Sequence, residues 1–366
     1  MPPPRRATGP GRVNLIGDHT DYNHGVALPM AIGLGVTVEY APTGAGELVV
    51  ASTGFGPPAR LPVDLAAETD TLRSLEPAWA RPVAALVALV RPAGGTVRID
   101  ADLPAGSGLS SSAALTVALA DVFGVSGTPQ DVARLCQQAE QLTGVPVGAM
   151  DPLVCAGGRR GAALLVEFPS LAIRPIPVPP DAEIVVVDSG SPRSLRDSPY
   201  ATRVAECEAA TARIGPLGLA GEDDLTGLAD PRLRRRARHV ITECRRVRRC
   251  AEALLTGDLV EAGAQMTASH RSLSRDFEVS TTELDALVDR LLSVPGVLGA
   301  RMTGAGFGGC VVVLSRPGAV DPAALPTPAW RVAPADGTLA ARSGSAGGPV
   351  PTRRALPAPG AAGGAG

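Results

Sequence analysis

The sequence contains no lysine, so all 34 of its Lys+Arg residues are arginine. A catalytic lysine is excluded, and any fixed cation in a site must be arginine or a metal. No apolar run approaches the ~20 residues needed to cross a bilayer; the longest spans Val83 to Val90. The first ten residues carry prolines and arginines but no apolar stretch of a secretory signal. The six cysteines form no C-x-x-C pair and the four histidines no ligand spacing, which fits buried thiols in a reducing compartment better than zinc or disulfides. A formal net charge of -2 argues against a general nucleic-acid binder. These absences lead us to expect a cytoplasmic protein with no membrane segment, no nucleic-acid partner and no protein-ligated transition metal.

What remains is an ordinary globular composition, 45% hydrophobic and 19% charged, in a chain of 366 residues that is long enough for about two domains. A buried-strand run, Ile184 to Val187, follows a proline-rich connector at 175 to 180 and marks the second domain from about 181. Between 232 and 250 nine arginines flank an apolar face of Val240, Ile241, Cys244, Val247 and Ala251. Without interleaved aromatics this reads as a solvated helix face. Ser280 and Glu283 have capping-box spacing. Residues 343–366 are Gly, Pro, Ala and Ser with a few arginines, the composition of a disordered tail.

Chemistry concentrates in four places. Residues 96–103 alternate apolar and polar as a half-buried strand does, then lead through P-A-G-S-G-L into S-S-S-A-A-L, residues 104–115. A strand, a glycine turn and a helix start make a seat for an anion. No lysine follows the glycines and Ser111 fills the third glycine position, so neither a Walker A loop nor a dinucleotide fingerprint is present. On this stretch alone a phosphate seat and a serine-capped turn both stay open.

The second place is G-R-V-N-L-I-G-D-H-T-D-Y-N-H-G, residues 11–25, which crowds Arg12, Asp18, His19, Asp21 and Tyr22 into a glycine-punctuated turn. Such a density of donors and acceptors suits a polyhydroxylated ligand. Third, Thr128, Pro129 and Asp131 open a helix whose apolar stripe has Glu140 at its edge, a candidate metal ligand or salt-bridge partner. Asp151 then follows a Pro/Gly loop and precedes apolar residues, the setting of a tuned general base or of a capping acid. Fourth, R-M-T-G-A-G-F-G-G-C, residues 301–310, places a second glycine loop before a strand. Trp79 is a core residue or a surface on which a base stacks.

Taken together, G-R-V-N-L-I-G-D-H-T-D-Y-N, P-A-G-S-G-L-S-S-S-A-A-L and M-T-G-A-G-F-G-G-C resemble the three motifs of the galactokinases, within the GHMP small-molecule kinase superfamily. The resemblance runs over residues 9–340. It implies an α+β fold of two domains with the active site between them: an N-terminal ribosomal-protein S5-like domain (1–175) and a C-terminal GHMP domain (181–342). It also implies ATP-dependent phosphorylation of the anomeric hydroxyl of galactose, with small-molecule sugar and ATP as partners, Mg2+ as cofactor and a monomeric chain. Position by position, Asp151 matches the catalytic base and Arg12 the arginine beside it. Ser112 and Glu140 match magnesium ligands, and Gly106, Ser107, Gly108, Leu109, Ser110 and Ser111 the triphosphate cradle, with Ser112 closing it. Asp18, His19, Asp21, Gly148 and Tyr200 match sugar contacts, and Trp79 a tryptophan near the adenine. Asp18 stands where galactokinases usually carry Glu, so a kinase for a related sugar such as arabinose or N-acetylgalactosamine is an alternative, as is a non-catalytic sugar and ATP sensor.

Overall fold

The computed structural model describes residues 3–104, 108–144, 147–191 and 199–343. In chain order the strands are β1 (Arg5–Asn14), β2 (Val26–Ala27), β3 (Pro29–Pro42), β4 (Glu47–Ser52), β5 (Phe55–Pro62), β6 (Gly95–Ala101), β7 (Ala162–Glu167), β8 (Ala172–Pro177), β9 (Glu183–Asp188), β10 (Val297–Met302), β11 (Cys310–Ser315) and β12 (Ala329–Val332). The helices are α1 (Thr69–Ser74), α2 (Arg81–Val90), α3 (Ser111–Val122), α4 (Pro129–Leu142), α5 (Met150–Gly157), α6 (Tyr200–Ile214), α7 (Pro231–Thr256), α8 (Leu259–Ser272), α9 (Thr282–Leu292) and α10 (Thr338–Ser343).

The first half is built on a sheet of order β1-β3-β6-β4-β5, in which only the β4–β6 pair is parallel. Its alternating strands bury Val36, Val38, Tyr40, Val97 and Ile99 under α3 and its neighbours. Ala-rich α3 comes so close to β1 that a Cβ at Gly9 would strike the Ala114 carbonyl, which fixes the helix start against the strand that carries Arg12. In the second half, β10-β11-β9-β12 form an antiparallel sheet covered by α8 and α9. A third sheet, β2-β7-β8, lies between β3 and α7. The arginine-rich stretch makes up most of α7, from its second residue on, and its apolar face, Val240, Cys244, Val247 and Ala251, is buried as its spacing predicts.

One detail differs from the sequence reading. The cap of α9 is Thr281, whose side chain accepts from Leu284 N, while Ser280 instead donates to Asp285; one residue of register moves the capping role to the hydroxyl with extended backbone. Residues 334–338 return to the first half: Thr338 donates to the Thr8 and Cys155 carbonyls, and Pro334 bridges to Ile32. The expected capping box at Thr128 and Asp131 forms. Gly106, Ser107 and the 344–366 part of the expected tail lie outside the described residues.

Candidate active site

Arg12 lies in the buried half of β1 and Asp151 in the first turn of α5. The two meet side-on, Arg12 Nε donating to Asp151 Oδ1 at 2.7 Å and Nη2 to Oδ2 at 2.5 Å. Arg12 Nη1 donates to the Gly108 carbonyl at 2.7 Å, and its backbone N–H to that of Leu109 at 3.1 Å. One arginine thus ties the acid to the glycine turn with the planar fork that suits a carboxylate.

The serine that precedes the helix does not cap it. Ser110 precedes α3 in the left-handed region, φ 67°, and makes no side-chain cap; its hydroxyl donates to Asp151 Oδ2. A non-glycine residue held there costs about 1–3 kcal/mol and persists where the surroundings over-determine it. The serine is turned away from helix capping and toward the acid.

Glu140 emerges from the last turn of α4, 7% exposed. Burial first, and then the nearby charge of Asp151, push its carboxyl up to about 7, against the lowering effects of a Ser112 hydrogen bond and of Arg12. Its Oε1 is buried with no hydrogen-bond partner. A buried acceptor in that state calls for a donor or a cation.

The turn at 17–25 forms the far wall. Asp21 begins a 3-10 turn, Asp21–Asn23, after His19 in the left-handed region, φ 65°. His19 Nδ1 and the Tyr22 hydroxyl share a 2.9 Å hydrogen bond, and Tyr200 at the start of α6 packs beside both rings at 5.9 and 6.1 Å. Desolvation, with the charge of Asp151 second, raises the Asp21 carboxyl to about 6. Gly148 lies directly on Asp21, leaving no room for a Cβ.

Asp18 is engaged differently. Its Oδ1 accepts from Asn14 Nδ2 at 3.0 Å and Gly304 N at 3.1 Å, and its Oδ2 pairs with fully buried Arg301. Arg301 also donates to the Asn14 and Leu15 carbonyls, at 3.2 Å each. This joins the turn to the 301–310 glycine loop. Behind it, Glu243 of α7 accepts from Gly17 N at 3.0 Å, Ser269 at 2.5 Å and Arg246 at 2.7 Å.

A cleft of about 410 Å³ connects these groups and is lined by Arg12, Asp18, His19, Asp21, Gly108, Ser110, Ser111, Ser112, Glu140, Gly148, Asp151 and Tyr200. Two expected nucleotide contacts stand apart from it. Leu109 is buried in the core, and Trp79 packs on Phe55 at 5.9 Å while its neighbours Ala78, Arg81 and Pro82 line the cleft. Sequence reading missed Arg81, Thr143, Gly304 and Ala305 as lining residues. For Gly304 and Ala305 the glycine-rich motif was a usable signal; for Arg81 and Thr143 there was none.

Comparison with known proteins decides the family. Residues 2–42 match the galactokinase galactose-binding signature, 79–159 the GHMP kinases N terminal domain and 250–325 the GHMP kinases C terminal region. The chain is 41% identical over 337 residues to a galactokinase of Chloroflexus aurantiacus, covering 87% of this chain and 86% of that protein. The chain belongs to the galactokinase family. A Homo sapiens galactokinase is 40% identical over 328 residues, 85% of this chain and 84% of its own length. Lactococcus lactis galactokinase, solved with galactose, superposes with a TM-score of 0.83 at 29% identity, covering 91% of this chain and 94% of that one. A mevalonate kinase structure, at 18% identity and a TM-score of 0.62, shares the fold. The galactokinase motifs are the stretches that converge on the cleft, and the α+β GHMP architecture is the one expected from them.

Proposed function

We propose that the chain transfers the terminal phosphoryl group of ATP to the anomeric hydroxyl of galactose, with the reaction centred on Asp151. The observation that carries this reading is the fork between Arg12 and Asp151, set between the serines of the glycine turn and the His19–Asp21 wall. Phosphoryl transfer asks a protein chiefly to position the reactants and neutralise charge. The wall holds sugar hydroxyls through His19, Asp21 and Tyr200. Asp151 orients the attacking hydroxyl and accepts its proton, while Arg12 holds the acid in register and keeps spare N–H groups for the transferring phosphoryl oxygens. The backbone from Gly108 and the hydroxyls of Ser110 and Ser111 face the triphosphate.

Glu140 and Ser112 would hold Mg2+. The orphaned Oε1 and the adjoining hydroxyl are hard oxygen donors of the kind the ion takes. Among the described residues no group of three or more His, Cys, Asp or Glu could hold a metal alone. When bound, the ion supplies charge neutralisation on the triphosphate.

The test is ADP release with Mg-ATP and a panel of free sugars, with the product located by phosphorus NMR. Galactose 1-phosphate is the expected product. A faster reaction with arabinose or N-acetylgalactosamine would move the assignment to that sugar, and binding of both substrates without ADP release would make the protein a sensor.

A further inference from the structure

Four carboxylates line the cleft, Asp18, Asp21, Glu140 and Asp151, against two arginines among the described lining residues, Arg12 and Arg81. Asp18 is met by Arg301 from behind and Asp151 by Arg12. That leaves Arg81 as the lining cation whose charge is not committed to an acid inside the cleft. A triphosphate entering this space brings several negative charges, and a chain without lysine has only arginine or a metal as a fixed cation to set against them, beside the neutral donors of backbone N–H and serine hydroxyls.

Arg81 is built for such a contact. It opens α2 directly after the Ala78–Ala80 turn, and its side chain is 14% exposed, largely withdrawn from bulk water. Its Nε donates to the Leu75 carbonyl at 2.9 Å, which fixes the plane of the fork. Its Nη2 donates to Glu76 at 2.8 Å, but that carboxylate is 73% exposed, a rim partner screened by solvent and worth little. The second amino nitrogen, Nη1, donates to no acceptor among the described residues. The guanidinium is therefore oriented and partly desolvated, and its ion-pair partner is one that a phosphate can replace.

We propose that Arg81 is a nucleotide-binding residue that contacts the phosphate chain, standing in for the lysine this sequence lacks. The assignment rests on ATP being the phosphoryl donor. Binding of Mg-ATP, Mg-ADP and adenosine to the wild type, Arg81→Gln and Arg81→Lys is measured by calorimetry, with galactose binding as the check that the cleft is intact. Arg81→Gln is expected to weaken ATP and ADP by roughly tenfold, about 1.4 kcal/mol, and to leave adenosine and galactose unchanged. Arg81→Lys is expected to recover part of the loss, because it keeps the charge without the fork.

Equal weakening of adenosine would mean that Arg81 serves the base or the local turn, and would overturn the assignment, as would no change in any ligand. A wild type that binds none of the three nucleotide ligands would overturn the ATP reading itself, and Arg81 with it. If Arg81→Gln also loses galactose, the Arg81→Lys comparison decides: tighter ATP binding than Gln with equal adenosine binding supports the phosphate contact, and equal ATP binding rejects it.

Discussion

Arg12 grips both carboxylate oxygens of Asp151, at 2.7 and 2.5 Å, and from the same guanidinium reaches the Gly108 carbonyl at 2.7 Å. The proposed catalytic acid and the glycine turn are therefore positioned by one side chain. Lysine would keep the charge and lose the fork. Arg12→Lys is expected to lower kcat by about 100-fold, roughly 2.7 kcal/mol, with a smaller change in the KM for sugar. Steady-state kinetics check this, and a kcat within a few-fold of wild type would contradict it.

The proposed Mg2+ site carries a prediction about pH through Glu140. With its carboxyl held up to about 7, a proton is expected to compete with the ion there below neutrality. The Mg2+ concentration giving half-maximal rate should rise about tenfold per pH unit below pH 7, and Glu140→Gln should abolish that slope while weakening the metal. The same shift has a stability consequence. The folded protein binds more protons than the unfolded chain between the ordinary carboxyl value of 4.5 and about 7, so this group's contribution to stability falls as pH rises through that window. In metal chelator, the Tm difference between Glu140→Gln and wild type should move in favour of the variant from pH 4.5 to pH 7. A constant difference would contradict the shifted carboxyl.

Gly148 and Asp21 share a space too small for one more carbon. Gly148→Ala should displace the Asp21 carboxylate and raise the KM for galactose at least about tenfold, through lost sugar contacts of about 1.4 kcal/mol or more. ATP binding should be unchanged. Parallel titrations of the two substrates test this, and an equal loss of both would point to a collapsed cleft instead.

Arg301 and Asp18 form a buried pair that ties the sugar-facing turn to the second glycine loop. Removing one partner strands the other charge, so Arg301→Met alone should cost about 3–5 kcal/mol in denaturant unfolding. The double variant Arg301→Met/Asp18→Asn should cost less than the sum of its single variants. Additive costs would mean that the pair is not coupled.

The sequence motifs carried most of the cleft because each is a short run whose spacing is itself the signal: Arg12, the serines at 110–112, Glu140 and Asp151 come from four local patterns that the fold brings together. The contacts that join those patterns were not legible. Glu243 sits in an arginine-rich helix that reads as a solvated face, yet it points inward to cap Gly17 N, with no exposure at all. Arg301 looks like the polar flank of a glycine motif and is wholly buried by partners near 300 residues away in sequence. A buried charge is identified by its partner, and such partners are set by tertiary packing that periodicity does not encode. Ser110 shows the same limit on a smaller scale: the capping residue Thr281 has extended backbone, whereas Ser110 is left-handed and its hydroxyl donates to Asp151 instead.

Asp151 is the residue on which the proposed chemistry turns, and Asp151→Asn is the most direct measurement of it. The amide keeps the shape of the side chain but offers neither a full carboxylate for the Arg12 fork nor an acceptor for the hydroxyl proton. Turnover of galactose with Mg-ATP is expected to fall by at least 1,000-fold, about 4 kcal/mol, with ATP and galactose still bound in calorimetry. A variant that binds both substrates and turns over within tenfold of wild type would contradict the role assigned to Asp151.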